Sequence, residues 1–525
     1  MKEAAPNKWI VVVTVISAAL LQLIDSSIVN VTLPQMMGNL GATLGDISWV
    51  VTAYTGANVI MITLSGWLSS KLGRKNYFTA SIIVFTIASV FCGNATSVSE
   101  LIIFRIIQGI GGGGLLATAQ AILVDTFPRE ELGKANAIFG MGVIIGPSIG
   151  PTLGGYITDQ LSWNWVFYIN IPVGIVATIL SYLYIRESEH RLKTGRMDWL
   201  ALALLVVTIG SLQVVLEKGE SEDWFETRYI LYLTLAAVFA GIVFVWRQLI
   251  VKDPILNLRL MKNRQYAIGC LFSLVQGVGL YASVFVIPVF LQTMLGYTAV
   301  DTGLILLPGS LAAGIMMPVV AAIMRKNWIS PAVLAAIGFS LFIFFVWRLS
   351  SMNMNTGAGD FFWPLILRGV GLGMLFIPLL TLTIFPLHNR DVPQGTALMT
   401  TLRQLGGAFG IAAATTFIGT RSIFHFNRLS EHLTVYDQST YDRLRGMVGL
   451  FMSKGSDAGT AQSQTLLALK GSIFKQAMIL TYNDVFLIVG LFFALCIPLL
   501  LLFKTKKEKK PDAQSSESGL ELALE

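Results

Sequence analysis

Apolar runs of roughly twenty residues recur along the whole of this chain, separated by short polar connections. That pattern leaves few architectures open. A helix rising ~1.5 Å per residue needs about twenty residues to cross ~30 Å of hydrocarbon. A backbone inside lipid must also satisfy its own hydrogen bonds, which a helix does within one segment. Hydrophobic residues make up 54% of the 525 residues and charged residues only 13%, against about a quarter charged in soluble domains. The chain therefore reads as an all-α polytopic membrane protein. Its first run is too long for a signal peptide and has no small-residue cleavage site behind it, so it reads as a retained helix.

Segmentation predicts about fourteen spans, at 9–33, 47–70, 77–96, 100–124, 135–158, 166–185, 198–216, 229–249, 266–294, 302–324, 329–349, 362–386, 394–420 and 482–503. Cations gather in alternate loops: Lys71, Arg74 and Lys75; Arg129 and Lys134; Arg186, Arg191, Lys193 and Arg196; Arg247, Lys252, Arg259, Lys262 and Arg264; Arg325 and Lys326; Arg390; and Lys504 through Lys510. The other connections are short and poor in basic residues, as at 217–226. The positive-inside rule then puts both termini in the cytoplasm. The net charge of +7 reflects this topology and implies no nucleic-acid partner. Cys92, Cys270 and Cys496 fall inside apolar segments without metal-like spacing and read as packing residues.

Two regions stand outside the bundle. Residues 420–481 form one long outer loop, with short amphipathic helices expected around 429–433, 444–452 and 466–474. The tail at 504–525 is charged, then rich in Ser and Glu, the composition of a disordered segment.

The chain also looks duplicated. The segment from Leu33 resembles the segment from Ile287 at an offset of roughly 254 residues, and the run from Glu100 echoes that from Trp363, aligning Arg105 with Arg368. Repeats of this size suit a transporter whose halves rock about a central site. The expected organisation is a six-helix half at 1–190, two inserted helices with their connection at 191–265, a second six-helix half at 266–503, and the tail.

One residue inside the first span carries chemistry. Asp25 sits at a depth where a carboxylate costs about 3 kcal/mol by insertion scales, so it must face water or a partner. Such a group binds a proton or a cation, which makes it the first candidate for energy coupling. Arg105, near the outer end of the fourth span, lies at a comparable depth and can approach Asp25; a static ion pair or backbone cap is the rival reading. In the fifth span Gly142, Gly146, Gly150 and Gly154 recur every four residues, with Pro147 and Pro151 in the same turns. Small residues at that spacing admit a close neighbour, and each proline frees a backbone group and permits a kink. Between spans two and three, Gly66 and Gly73 allow tight backbone packing. There Lys71, Arg74 and Lys75 either meet acidic groups and helix C-termini or serve only as topology determinants.

Substrate contacts are expected near the midplane at the repeat interface. Candidates are Gln22, Asn30, Tyr54, Asn58, Gln108, Gln276, Tyr281 and Gln292, each also readable as an interhelical hydrogen-bond partner. Arg403 is a second embedded cation, able to bind an anionic ligand group or to lie near the cytoplasmic end. The run at 109–114 lacks a phosphate-loop ending and reads as helix packing, so no ATP-driven pump is implied. With only four histidines, no metal cluster and no nucleophilic triad in view, an embedded enzyme is the weakest of the readings.

The motifs at 23–34 (LIDSSIVNVTLP), 104–109 (FRIIQG), 140–155 and 163–174 (WNWVFYINIPVG) together resemble the major facilitator superfamily, in particular its fourteen-helix drug/proton antiporters of the EmrB type. The resemblance covers nearly the whole chain and extends to EDW at 222–224, LGYTAVDTG at 295–303 and the long outer loop. It implies two six-helix halves plus two inserted helices, and proton-coupled export of hydrophobic or aromatic compounds with no cofactor beyond the proton. It also implies the bacterial inner membrane, a periplasmic membrane-fusion adaptor and, through it, an outer-membrane channel. The loop at 420–481 is then either the adaptor-facing surface or a lid over the protein's own outer mouth. A dedicated exporter or flippase of a lipid, siderophore or other amphiphile is the alternative within transport. The chain departs from the superfamily's loop motif at Ser70, where an acidic residue is usual.

Overall fold

The structure, a computed structural model, describes residues 8–187, 197–326, 328–388, 391–431, 433 and 436–498. Arg191, Lys193, Arg196, Arg390 and the tail at 504–525 lie outside the described residues. Among the described residues every regular element is helical. The first eight helices are α1 (Lys8–Leu40), α2 (Leu44–Leu72), α3 (Arg74–Gly93), α4 (Val98–Gly113), α5 (Leu115–Thr126), α6 (Arg129–Gln160), α7 (Trp165–Tyr168) and α8 (Asn170–Tyr184). A peripheral pair follows, α9 (Trp199–Lys218) and α10 (Arg228–Ile250). The remainder are α11 (Arg264–Thr293), α12 (Ala299–Arg325), α13 (Pro331–Leu349), α14 (Ala358–Ile384), α15 (Val392–Glu431), α16 (Gln438–Ser453) and α17 (Ala458–Cys496).

Twelve helical stretches among the described residues are long and apolar enough to cross a membrane, with α4 and α5 counted as one and α7 and α8 as one. A thirteenth is α6, bent by 42° between Pro147 and Ile149, where the prolines interrupt the backbone ladder. The expected thirteenth span, at 394–420, falls in α15 and is less apolar than the rest, since Arg403, Gln404, glycines and threonines fill its membrane-length part. Helix starts are written locally. Thr43 and Asp46 form a reciprocal capping box at α2, with Asp46 N donating to Thr43 Oγ1 at 3.2 Å. Thr298 and Asp301 repeat the same box at α12, at 3.1 Å. Each such cap stabilises its helix by about 1 kcal/mol, and their matching positions make the duplication visible in the fold.

Among its described residues, the segment at 420–481 is not a loop with isolated short helices. No proline or glycine interrupts 420–431, so α15 continues to Glu431, and Asp457 starts α17 well before the expected span at 482. The patches around 429–433 and 466–474 thus belong largely to these two long helices, while 444–452 lies in α16, which packs on α17.

Between helices in lipid, association depends on packing rather than on exclusion of water. The α6 glycines show how. Gly142 faces Ile16, Gly146 faces Leu20 and Leu23, Gly150 faces Ser27, and Gly154 faces Ile28, all on α1. The opposite side of α6 packs along α12, with Gly314 against Met141 and Gly303 against Thr152. Helix α6 is therefore held between α1 and α12, and α2 against α15 makes the other main junction between early and late helices. The pair α9–α10 packs together, α9 lies on α2, and α10 turns Tyr232, Phe239 and Trp246 outward. Asp198 and Arg247 close that pair with two hydrogen bonds of 2.6 and 2.9 Å. All three cysteines are buried and unbridged.

Candidate functional site

The middle of α1 delivers Asp25 to a point where α2, α4 and α8 meet. Ser97 caps α4, and two turns later Arg105 projects toward α1. Its Nη1 donates to Asp25 Oδ2 at 2.6 Å. Gln108 Nε2 and Asn170 Nδ2 both donate to Oδ1 at 2.9 Å. Arg105 Nη1 also donates to Gln108 Oε1 at 2.6 Å, and its Nε to the Val50 carbonyl at 3.2 Å. The Tyr54 ring lies 3.9 Å from the guanidinium carbon. Asp25 and Arg105 are 0% and 1% exposed, so the charges meet directly, without an intervening water-filled space. A protonated Asp25 would carry a donor where its present neighbours also donate. Loading a proton there therefore requires the network to rearrange.

Below this cluster Gln22 Nε2 donates to Asn58 Oδ1 at 3.1 Å. Gln22 Oε1, Asn58 Nδ2 and the Tyr54 hydroxyl are buried without a protein partner. Gln108 is taken up by the Asp25 network and by Ser89, to which it donates at 2.8 Å. These residues form one polar layer beside the acid.

A small central space of about 30 Å³ opens between α1, α5 and α6 on one side and α11, α12, α14 and α15 on the other. Of the expected substrate contacts, Tyr281 and Arg403 line it, and Pro147 reaches it from α6. The Tyr281 hydroxyl donates to Gln404 Oε1 at 2.5 Å. The structure does not bring the others there. Gln276 is buried elsewhere along α11, Gln292 is half-buried near that helix's outer end, and Asn30 is exposed, with its amide donating to Ser26 O at 3.3 Å. Two residues not singled out as contacts are present: Asn170 at Asp25, and Arg368 in the central space. The alignment of Arg368 with Arg105 was the available signal for the second. A larger cavity of about 790 Å³ lies toward the end bearing Lys134 and Arg325.

The last part of α2, before its turn into α3, lies against the start of α15. A Cβ on Gly66 would lie 2.9 Å from Pro393 O and Gln394 Cα, so glycine there lets α2 touch the start of α15. Thr63 and Thr401 share a hydrogen bond of 3.1 Å at the same junction. Gly73 has φ +94°, a conformation that favours glycine. Arg74 pairs with Asp125 and donates to Ala121 O at 3.1 Å, so its acid comes from the end of α5. Ser70 instead donates to Gly66 O at 2.8 Å. The 109–114 run packs as expected, with Gly109 and Gly113 against α2 and Gly111 against α3.

A bundle of membrane-length helices with a buried acid–arginine pair and a central space between its earlier and later helices suits a multi-pass transporter. The chain belongs to the Major Facilitator Superfamily, whose family model matches residues 15–411. It is 33% identical over 483 residues to multidrug export protein EmrB of Escherichia coli K12, covering 91% of this chain and 92% of that relative. It is 31% identical to fatty acid resistance protein FarB of Neisseria gonorrhoeae, covering 93% and 94% respectively. The structure of the human organic anion transporter MFSD10 matches with a TM-score of 0.58 at 13% identity, over 93% of this chain and all of that one, a likeness of fold. Similarity of this extent to multidrug exporters supports a drug-efflux transporter.

Proposed function

We propose that this protein is a proton-coupled antiporter of the bacterial inner membrane that exports hydrophobic or aromatic compounds by alternating access. The observation that carries the reading is the Asp25 carboxylate, buried on α1 and held by Arg105, Gln108 and Asn170. A titratable group on α1 whose hydrogen bonds come from two other helices, α4 and α8, has a means of linking its protonation to their arrangement. The α6 glycines and prolines, packed on α1 and running along α12, place a deformable helix beside that group.

Export through a tripartite assembly is part of the same reading. The extended ends of α15 and α17, with α16 against α17, offer a helical surface for a periplasmic adaptor. The similarity to FarB, named for fatty acid resistance, favours a second reading, an exporter dedicated to an amphiphile.

The deciding experiment is efflux of a fluorescent aromatic compound from proteoliposomes under an imposed pH gradient, comparing wild type with Asp25→Asn. Transport that follows the gradient and vanishes in the variant supports antiport through Asp25. Equal gradient-driven transport in both would remove Asp25 from the coupling. Transport of amphiphiles alone would favour the second reading.

A further inference from the structure

Two buried cations among the later helices have no counter-charge among the described residues. Arg368 on α14 and Arg403 on α15 are each 6% exposed, and both line the central space. Neither makes an ion pair or hydrogen bond with any described residue. Arg368 Nε is enclosed without an acceptor, and the Arg403 guanidinium lies 5.5 Å from the Phe376 ring with Tyr281, a neutral phenol, also beside it. No acidic side chain among the described residues lines this space; its walls are largely apolar, including Leu23, Leu116, Val143 and Phe376.

The duplication sharpens the contrast. Helix α14 packs on α12 and α13 as α4 packs on α2 and α3, so Arg368 stands where Arg105 stands in the first half. Arg105 is neutralised by Asp25. At the repeat offset of roughly 254 residues, Asp25 corresponds to Gly279, which faces the Phe493 ring. The second half keeps the cation and lacks the acid.

Arginine does not escape burial by losing its proton, and an unpaired buried charge is costly until an opposite charge is supplied. Its planar fork matches carboxylate, sulfonate and phosphate groups. We infer that Arg368 and Arg403 form an anion-binding subsite whose ligands are amphiphiles with an ionised acidic group on an apolar or aromatic body. The space is now about 30 Å³, enough for water but not for such a ligand, so occupation accompanies separation of the surrounding helices. The inference deepens the export reading by naming the substrate class for its central site.

The test uses full-length protein in nanodiscs and calorimetric titration of two probes that share one scaffold, with empty nanodiscs as blank. The probes are 1-anilinonaphthalene-8-sulfonate, which is anionic, and neutral N-phenyl-1-naphthylamine. Wild type is expected to bind the sulfonate more tightly. Arg368→Gln and Arg403→Gln should each weaken sulfonate binding by about tenfold or more, with the neutral probe changed less than about twofold. Arg368→Lys, which keeps the charge and loses the fork, should fall between and keeps the question answerable if a glutamine variant does not fold. No preference for the sulfonate in wild type, unchanged sulfonate affinity in the variants, or equal loss of both probes would each overturn the subsite. Because binding is read without a gradient, absence of proton-driven efflux would defeat the coupling reading and leave this one standing.

Discussion

Arg105 and Asp25, 80 residues apart in the chain, meet at 2.6 Å with both side chains sealed from solvent. Helices α1 and α4 otherwise touch little, and α2 lies against α4 along its length. The pair therefore acts as a polar bridge between helices that are not primarily packed on each other. Tyr54 on α2 covers the guanidinium, and Asn170 ties the carboxylate to α8. A change in the charge of Asp25 would be felt by four helices at once.

Asp25→Asn keeps the size of the side chain and removes its charge. Arg105 retains the Val50 carbonyl and Gln108 Oε1 as acceptors but loses its counter-charge, so the fold is expected to persist with a lowered melting temperature. Gradient-driven transport should fall at least about tenfold, as an essential protonation step demands. Proteoliposome flux and a thermal melt of the same preparation check both halves of this statement.

Arg105→Ala leaves a buried carboxylate with only amide partners. Removing one member of a buried pair costs about 3–5 kcal/mol, so a large drop in melting temperature is expected. Arg105→Lys restores the charge without the second contact to Val50 and should fall between. A purely static role predicts that the folded Lys variant keeps the wild-type pH profile of transport; a coupling role predicts an altered one.

Gly154→Val tests the α1–α6 seam. An added Cβ would come within 2.8 Å of Ile28 Cγ1 and 3.0 Å of its carbonyl oxygen, and overpacking of this kind costs about 1–3 kcal/mol. Gly446→Ala in α16 meets open space and should stabilise its helix by about 0.5–1 kcal/mol. Opposite shifts in melting temperature are the expected result; equal shifts would contradict the assigned seam.

Asp198 offers a pH test outside the membrane-spanning segments. Hydrogen bonds from Arg247 hold its carboxyl below the ordinary value of 3.8. A depressed folded-state pKa gives stability that is present above the unfolded value and lost as pH falls through the folded one. Acid unfolding below about pH 4 should therefore soften in Asp198→Asn relative to wild type, while stability near neutrality drops by up to about 1 kcal/mol. Melting curves across pH 3–7 would show it.

Replacing 432–457, which includes α16, with a short Gly/Ser linker should spare transport in proteoliposomes. Loss of co-purification with a membrane-fusion adaptor would support the outer helices as its docking surface. Undiminished capture would rule that surface out.

Much of this is legible in the amino-acid order. A single acid in a 33-residue membrane helix is conspicuous because hydropathy is a local property, and the four-residue glycine period on α6 directly names one face. Other features were hidden for a physical reason. Asn170 is an ordinary amide at a helix start until α8 packs on α1. Gln108 and Tyr54 read equally well as ligand contacts until Arg105 claims them. The outer segment read as a loop because its polarity argues against crossing lipid, yet polarity does not stop a helix from continuing into water.

The amino-acid order by itself determined the membrane class, the approximate spans, the duplicated helix caps and the two residues of the buried pair. These follow from hydrophobicity, periodicity and capping, each decided within a few turns of chain. Only the tertiary structure decided the partners: Asp125 for Arg74, Asn170 for Asp25, α1 for the glycine face of α6, and, among the described residues, no acid for Arg368 or Arg403. Pairing energies act over a few ångströms, and which groups come that close depends on how distant helices pack.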